Sequence, residues 1–119
     1  NMANEIKANV SVNVKTALGA RLNRTESKAI DMTGESILQT TQQLTASNEA
    51  LDMTNAELGT AGYVFIKNLD PTNFCSIGLT SSYTIKLKPG EFCLFRAAAD
   101  LYGAFNTAAG FIEIIVFED

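Results

Sequence analysis

Gly62–Asp70, GYVFIKNLD, and Ser82–Ala97, SYTIKLKPGEFCLFRA, decide the fold. In an extended chain Tyr63, Phe65 and Lys67 fall on one side, and Val64, Ile66 and Asn68 on the other. Aromatic and β-branched residues at a period of two suit a pleated, half-buried strand. In the second stretch Tyr83, Ile85 and Leu87 alternate with Thr84, Lys86 and Lys88. Lys88-Pro89-Gly90-Glu91 then predicts a type II turn: proline presets φ at its second position, and glycine supplies the positive φ at its third. Glu91–Ala97 returns as the next strand, so the pair is a hairpin with charge at its exposed end.

The same alternation runs outward in both directions. Ile6, Ala8, Val10, Val12 and Val14 alternate with Lys7, Asn9, Ser11, Asn13 and Lys15, which predicts a strand over 6–15. Its apolar face is expected on a core, and its polar face toward water or a partner. Ala17–Arg24 reads as a weak segment with a bend at Gly19, and Ser27–Met32 as a short strand. Thr33-Gly34-Glu35 is a turn. Three threonines favour strand for Ser36–Thr45, and Asn48–Met53 is a strand or a single helical turn. Thr54–Gly62 is loop. Asp70-Pro71-Thr72-Asn73 turns the chain into a strand over Phe74–Leu79, and a short strand over Leu101–Phe105 follows. Phe111–Phe117, FIEIIVF, is apolar on both faces apart from Glu113, as in a central strand or one at a subunit interface.

Eight to ten short strands with frequent turns predict an all-β antiparallel sandwich. A chain of 119 residues is expected to form one domain, 1–119, with strand 6–15 available for pairing between subunits. No linker divides it, no internal repeat is evident, and no signal peptide is visible at the N-terminus.

Composition restricts the chemistry. The chain has no His and no Trp, and a net charge of -4. Lack of His removes the usual general base, triad base and metal ligand. The acidic balance argues against nucleic acid as the main partner, and no apolar run approaches the roughly 18 residues that cross a membrane. Cys75 and Cys93 sit in apolar patterns; free buried thiols are expected, with a disulfide as the alternative. Glu49 with Asp52, and Asp31 with Glu35, supply carboxylates for a hydrolase, but neighbouring surface acids are more often solvated. A turn outweighs calcium binding at Asp70 and Asn73. The sequons at Asn9 and Asn23 read as chance. The rings of Tyr63, Phe65, Tyr83, Phe92, Phe95 and Tyr102 are expected in the core rather than on a sugar-binding face. Arg96 either binds a partner's carboxylate or pairs internally with Asp100. No catalytic residue, cofactor or metal site is expected.

GYVFIKNLDPTNFCSIGL, then IKLKPGEFCLFRAAADLYG, then the ending IEIIVFED resemble a family of small structural proteins of tailed bacteriophages. The resemblance covers Gly62–Asp119, about half of the chain. It implies a jelly-roll-like virion component, foremost a head decoration (cement) protein. Such a protein is made in the host cytoplasm and sits on the outer surface of the capsid. It binds the major capsid protein, and closed symmetry makes a homo-oligomer, dimer or trimer, the expected state. The alternative is a tail, fibre or lectin-like module recognising host-surface glycan. On this reading the partner interface comprises Lys7, Asn9, Ser11, Asn13, Lys15 and Arg96.

Overall fold

A computed structural model describes residues 4–54 and 58–119. All regular structure among them is β, in ten strands. The described residues group into two compact units, 4–33 and 34–119.

The first unit is a hairpin. Strand β1 (Ile6–Lys15) pairs antiparallel with β2 (Arg21–Ile30) over ten residues, from Ile6 opposite Ile30 to Lys15 opposite Arg21. The loop Ala17-Leu18-Gly19 closes it. The Gly19 N–H donates to the Thr16 carbonyl at 3.0 Å, and Gly19 takes φ of 91°. This is the three-residue hairpin loop, in which a left-handed residue follows a tight turn, and it realises the bend expected at Gly19. The weak segment and short strand expected over residues 17–32 are instead one continuous strand. RLNRTESKAI has little hydrophobic alternation of its own; register with β1 imposes extended structure on it.

The second unit is a sandwich of two four-stranded sheets. Its strands are β3 (Ile37–Leu44), β4 (Glu49–Ala50), β5 (Ala61–Asn68), β6 (Cys75–Leu79), β7 (Ser82–Leu87), β8 (Phe92–Arg96), β9 (Tyr102–Phe105) and β10 (Gly110–Glu118). One sheet has the order β3-β10-β5-β8 and the other β4-β9-β6-β7. Eight antiparallel strands exchanged between two sheets in this way form a jelly roll. The loop expected over residues 54–62 is partly outside the described residues, at 55–57, and ends where β5 begins at Ala61.

The core lies between the sheets. Leu44, Val64, Ile66, Ile112, Ile114 and Val116 from the first sheet meet Cys75, Ile77, Leu87 and Phe105 from the second. Each fully buried aliphatic side chain contributes about 1.5–3 kcal/mol. The turn over residues 88–91 forms as expected: Gly90 has φ of 80° and the Glu91 N–H donates to the Lys88 carbonyl at 2.9 Å.

Asn68 is the one buried polar side chain of this unit among the described residues. Its amide donates to the carbonyls of Asn73 and Leu87, both at 2.9 Å, and its Oδ1 accepts the Asp70 N–H at 2.8 Å. Its backbone N–H donates to Glu91 and its carbonyl accepts from Gly90. One residue thus joins the end of β5 to the Asp70 turn, the end of β7 and the 88–91 turn. The Asp70 carboxylate caps its own turn, accepting N–H bonds from Thr72 and Asn73 at 2.9 and 2.6 Å.

Candidate functional site

Antiparallel register assigns every hairpin residue to a face, because directly opposed residues share one. Lys7, Asn9, Ser11, Asn13 and Lys15 lie opposite Ala29, Ser27, Thr25, Asn23 and Arg21. The predicted interface residues of β1 therefore share one polar face with Arg21, Asn23, Thr25 and Ser27. Ser27 Oγ donates to Asn9 Oδ1 at 2.6 Å across the strands. Among the paired residues 6–15 and 21–30, this face carries three cations, Lys7, Lys15 and Arg21, and no carboxylate.

The other hairpin face departs from expectation. Val10, Val12 and Val14, expected on a core, are exposed, as is Leu22 of β2 on the same face. Arg24 and Glu26 stand on the same face, opposite Val12 and Val10, and form an ion pair of 2.9 Å. An isolated two-stranded ribbon is marginal in water without a cover for its apolar face.

Charge separates the two units. Residues 1–33 hold five Lys and Arg against three Asp and Glu, a net +2, whereas residues 34–119 hold four against ten, a net -6. Whole-chain acidity conceals a basic hairpin.

The second distinctive surface is the outward face of the β3-β10-β5-β8 sheet. Register places Gln39, Ile115, Phe65 and Leu94 in one row across the four strands, and Thr41, Glu113, Lys67 and Phe92 in the next. Phe111 and Phe117 extend it along β10. Phe92 is 66% exposed and Phe111 49%. The rings of Phe65 and Phe92 stack with centroids 5.9 Å apart. The Arg96 guanidinium sits 4.7 Å above the Tyr63 ring and bonds Asp119 Oδ1 at 3.1 Å. Gln39 donates to Glu113 at 3.2 Å.

This geometry corrects two expectations. Tyr63, Phe65 and Phe92 are not core: the small β-branched partners Val64 and Ile66 face inward and the rings face out. Of the aromatics named, Phe95 packs against the core, while Tyr83 and Tyr102 are half-buried. Arg96 pairs with Asp119, not Asp100, because β5 and its flanks bring the chain end beside β8: the Asp119 N–H bonds the Thr60 carbonyl and the Ala97 N–H bonds that of Gly62. A signal for the outward face was present in the sequence. Lys67 shares the Tyr63–Phe65 side of β5, and Glu113 the Phe111–Ile115 side of β10.

The remaining chemistry is structural. Both cysteines are free. Burial, and secondarily the neighbouring Cys93, pushes the Cys75 thiol up to about 12; burial also raises Cys93. Neither thiol is ionised at neutral pH. The Glu118 carboxylate accepts N–H bonds from Gly59, Ser36 and Glu35 at 2.8, 3.1 and 3.0 Å. These donors, Gly59 foremost and then Ser36, hold it below the usual glutamate range. Sequence reading missed this clamp, which depends on loops brought together only by the fold, and the Asn68 junction, whose bonds to Leu87 and the 88–91 turn do too. The Glu49 carboxylate closes its loop by accepting the Thr45 N–H at 2.8 Å, and Asp52 is held through its backbone N–H, which Gln42 Oε1 accepts at 2.8 Å. A cleft of about 340 Å³ opens between the edges of β7 and β8, lined by Leu79, Ser82, Thr84, Ile85 and Phe95 among others; no titratable side chain lines it. No cluster of three His, Cys, Asp or Glu able to hold a metal occurs among the described residues.

Comparisons with family models, curated proteins and solved structures return no match. The fold and surfaces thus define an eight-stranded jelly roll joined in sequence to a basic β-hairpin.

Proposed function

We propose that this chain is a head decoration (cement) protein of a tailed bacteriophage, binding the major capsid protein on the outer surface of the shell. It acts by binding alone. The observation that carries this reading is the charge split: a basic hairpin with net +2 on a chain whose other unit is net -6. A long ribbon with one polar, cationic face suits an acidic protein surface, and steering by such charge favours docking through that end. Lys7, Asn9, Ser11, Asn13 and Lys15 make the contact, with Arg21 added from β2. The jelly roll is an architecture that viral shell proteins use, which agrees with the resemblance of Gly62–Asp119 to phage structural proteins. Many symmetry-related copies then strengthen the shell by summed contacts.

A lectin-like reading has one observation in its favour, the exposed rings of Tyr63, Phe65 and Phe92. A sugar site also needs unengaged polar groups converging beside the ring. Here Glu113 and Arg96 are already committed to Gln39 and Asp119. The shell reading is therefore preferred.

The test compares purified heads with and without the protein. Heads that carry it withstand a higher temperature before disruption. Equal disruption temperatures, with no copies on the shell, would refute the proposal.

A further inference from the structure

We infer that the outward face of the β3-β10-β5-β8 sheet is where a second copy of this chain docks. The face is too apolar to be an ordinary solvated sheet surface. Phe65, Phe92, Leu94, Phe111, Ile115 and Phe117 lie on it, and Phe92 is exposed to 66%. A contiguous patch of this size on a soluble domain marks an interaction site.

Charge identifies the occupant. The unit carries a net -6, but none of that excess lies on this face. Lys67 stands directly across the strands from Glu113, and Arg96 is paired with Asp119. Two cations and two anions leave the face with no net charge, and Glu113 and Arg96 are already bonded, to Gln39 and Asp119. An acidic or basic partner would gain nothing from it. A second identical face, equally neutral and equally apolar, leaves no charge unmatched.

Area agrees. Four strands spaced about 4.8 Å apart span roughly 19 Å, and eight residues at about 3.3 Å each give about 26 Å of length. Two such faces together bury on the order of 1,000 Å² before side-chain relief is added, the scale at which specific interfaces begin. A twofold arrangement uses the same patch on both copies.

The inference stands apart from the shell reading, since it concerns the free chain. It also carries an opposite salt signature. Added salt screens the repulsion between two net-negative units, so self-association through a neutral apolar face strengthens with ionic strength. Docking through the cationic hairpin weakens.

Sedimentation velocity on the full chain tests it, with Leu94→Lys/Ile115→Lys placed in the Gln39–Ile115–Phe65–Leu94 row and Phe92→Ser in the next row on the edge strand β8. Circular dichroism melts confirm that each variant is folded, and Val12→Lys on the hairpin is the control. The wild type and Val12→Lys sediment as a dimer or a larger closed oligomer, more completely at higher salt, and both face variants shift at least tenfold toward monomer. A wild type that is monomeric throughout overturns the inference. So does an oligomer that survives the face variants, or one lost only in Val12→Lys. Face variants that self-associate normally yet no longer bind heads would assign the face to the shell and equally overturn it.

Discussion

Replacing Asn68 by alanine should be among the most damaging single changes in the sandwich. The side chain is fully buried and makes three hydrogen bonds, to the carbonyls of Asn73 and Leu87 and from the Asp70 N–H. A neutral hydrogen bond is worth about 1 kcal/mol net, and orphaned buried partners add desolvation cost. Asn68→Ala should therefore destabilise by about 3–4 kcal/mol. For a domain of this size that lowers Tm by roughly 12–30 °C. Asn68→Asp separates the hydrogen bonds from packing. It keeps the acceptor for Asp70 but turns a carboxylate toward two carbonyls in a buried site. Its folded pKa must then rise above the ordinary value of about 3.9, so the folded state holds a proton the unfolded state has released. Stability of this variant should fall as pH rises through the folded pKa and partly recover in acid, opposite to the usual carboxylate. Chemical denaturation across pH reads both effects. A cost below about 1 kcal/mol for Asn68→Ala, or an Asn68→Asp protein as stable as the wild type at neutral pH, would refute the reasoning.

Other outcomes follow from the same geometry. Glu118 has a depressed folded pKa, so its contribution is present above the unfolded value of about 4.3 and is lost as pH falls through the folded one. Glu118→Gln should consequently flatten the acid limb of the stability profile measured by denaturant titration, while an unchanged limb would mean the N–H clamp is inert. At Gly78 a Cβ would lie 2.5 Å from the Ser82 carbonyl oxygen and 2.7 Å from Tyr83 Cα, both backbone atoms at the β6–β7 register shift. Gly78→Ala should cost about 1–3 kcal/mol in thermal unfolding, as overpacking does; a neutral change would show that the bulge relaxes freely. Reversing the opposed pair Lys15 and Arg21 to glutamate should weaken head binding at least tenfold at low salt and abolish its salt dependence, read by co-sedimentation with stripped heads.

Strand positions were largely legible because alternation at a period of two is a local signal. Ile6–Lys15 was read with its observed bounds, and the 88–91 turn with its type. What local pattern could not assign was which side of a strand faces the core. In β5 both sides are apolar or aromatic, and size suggested the rings as filling. The sandwich instead takes Val64 and Ile66 inward, where interdigitation across about 10 Å suits compact branched side chains. Lys67 on the ring side was the discriminating residue. β2 was illegible for a different reason: RLNRTESKAI becomes a strand only through its partner. The hairpin's basic character was hidden by averaging over the chain, since a net -4 combines +2 and -6. Glu118 acts through contacts distant in sequence, and Asn68 joins local bonds to Asp70 and Asn73 with one to Leu87 across the fold, for which a single residue type gives no pattern.

On the reading proposed above, the chain coats a phage head through its basic hairpin. Imaging particles at a resolution that locates individual subunits, together with a mass-spectrometric copy count, tests it most directly. Many copies are expected at symmetry-related positions on the outer shell, with residues 6–30 against the major capsid protein. A handful of copies confined to the tail, or none on the particle, would contradict it.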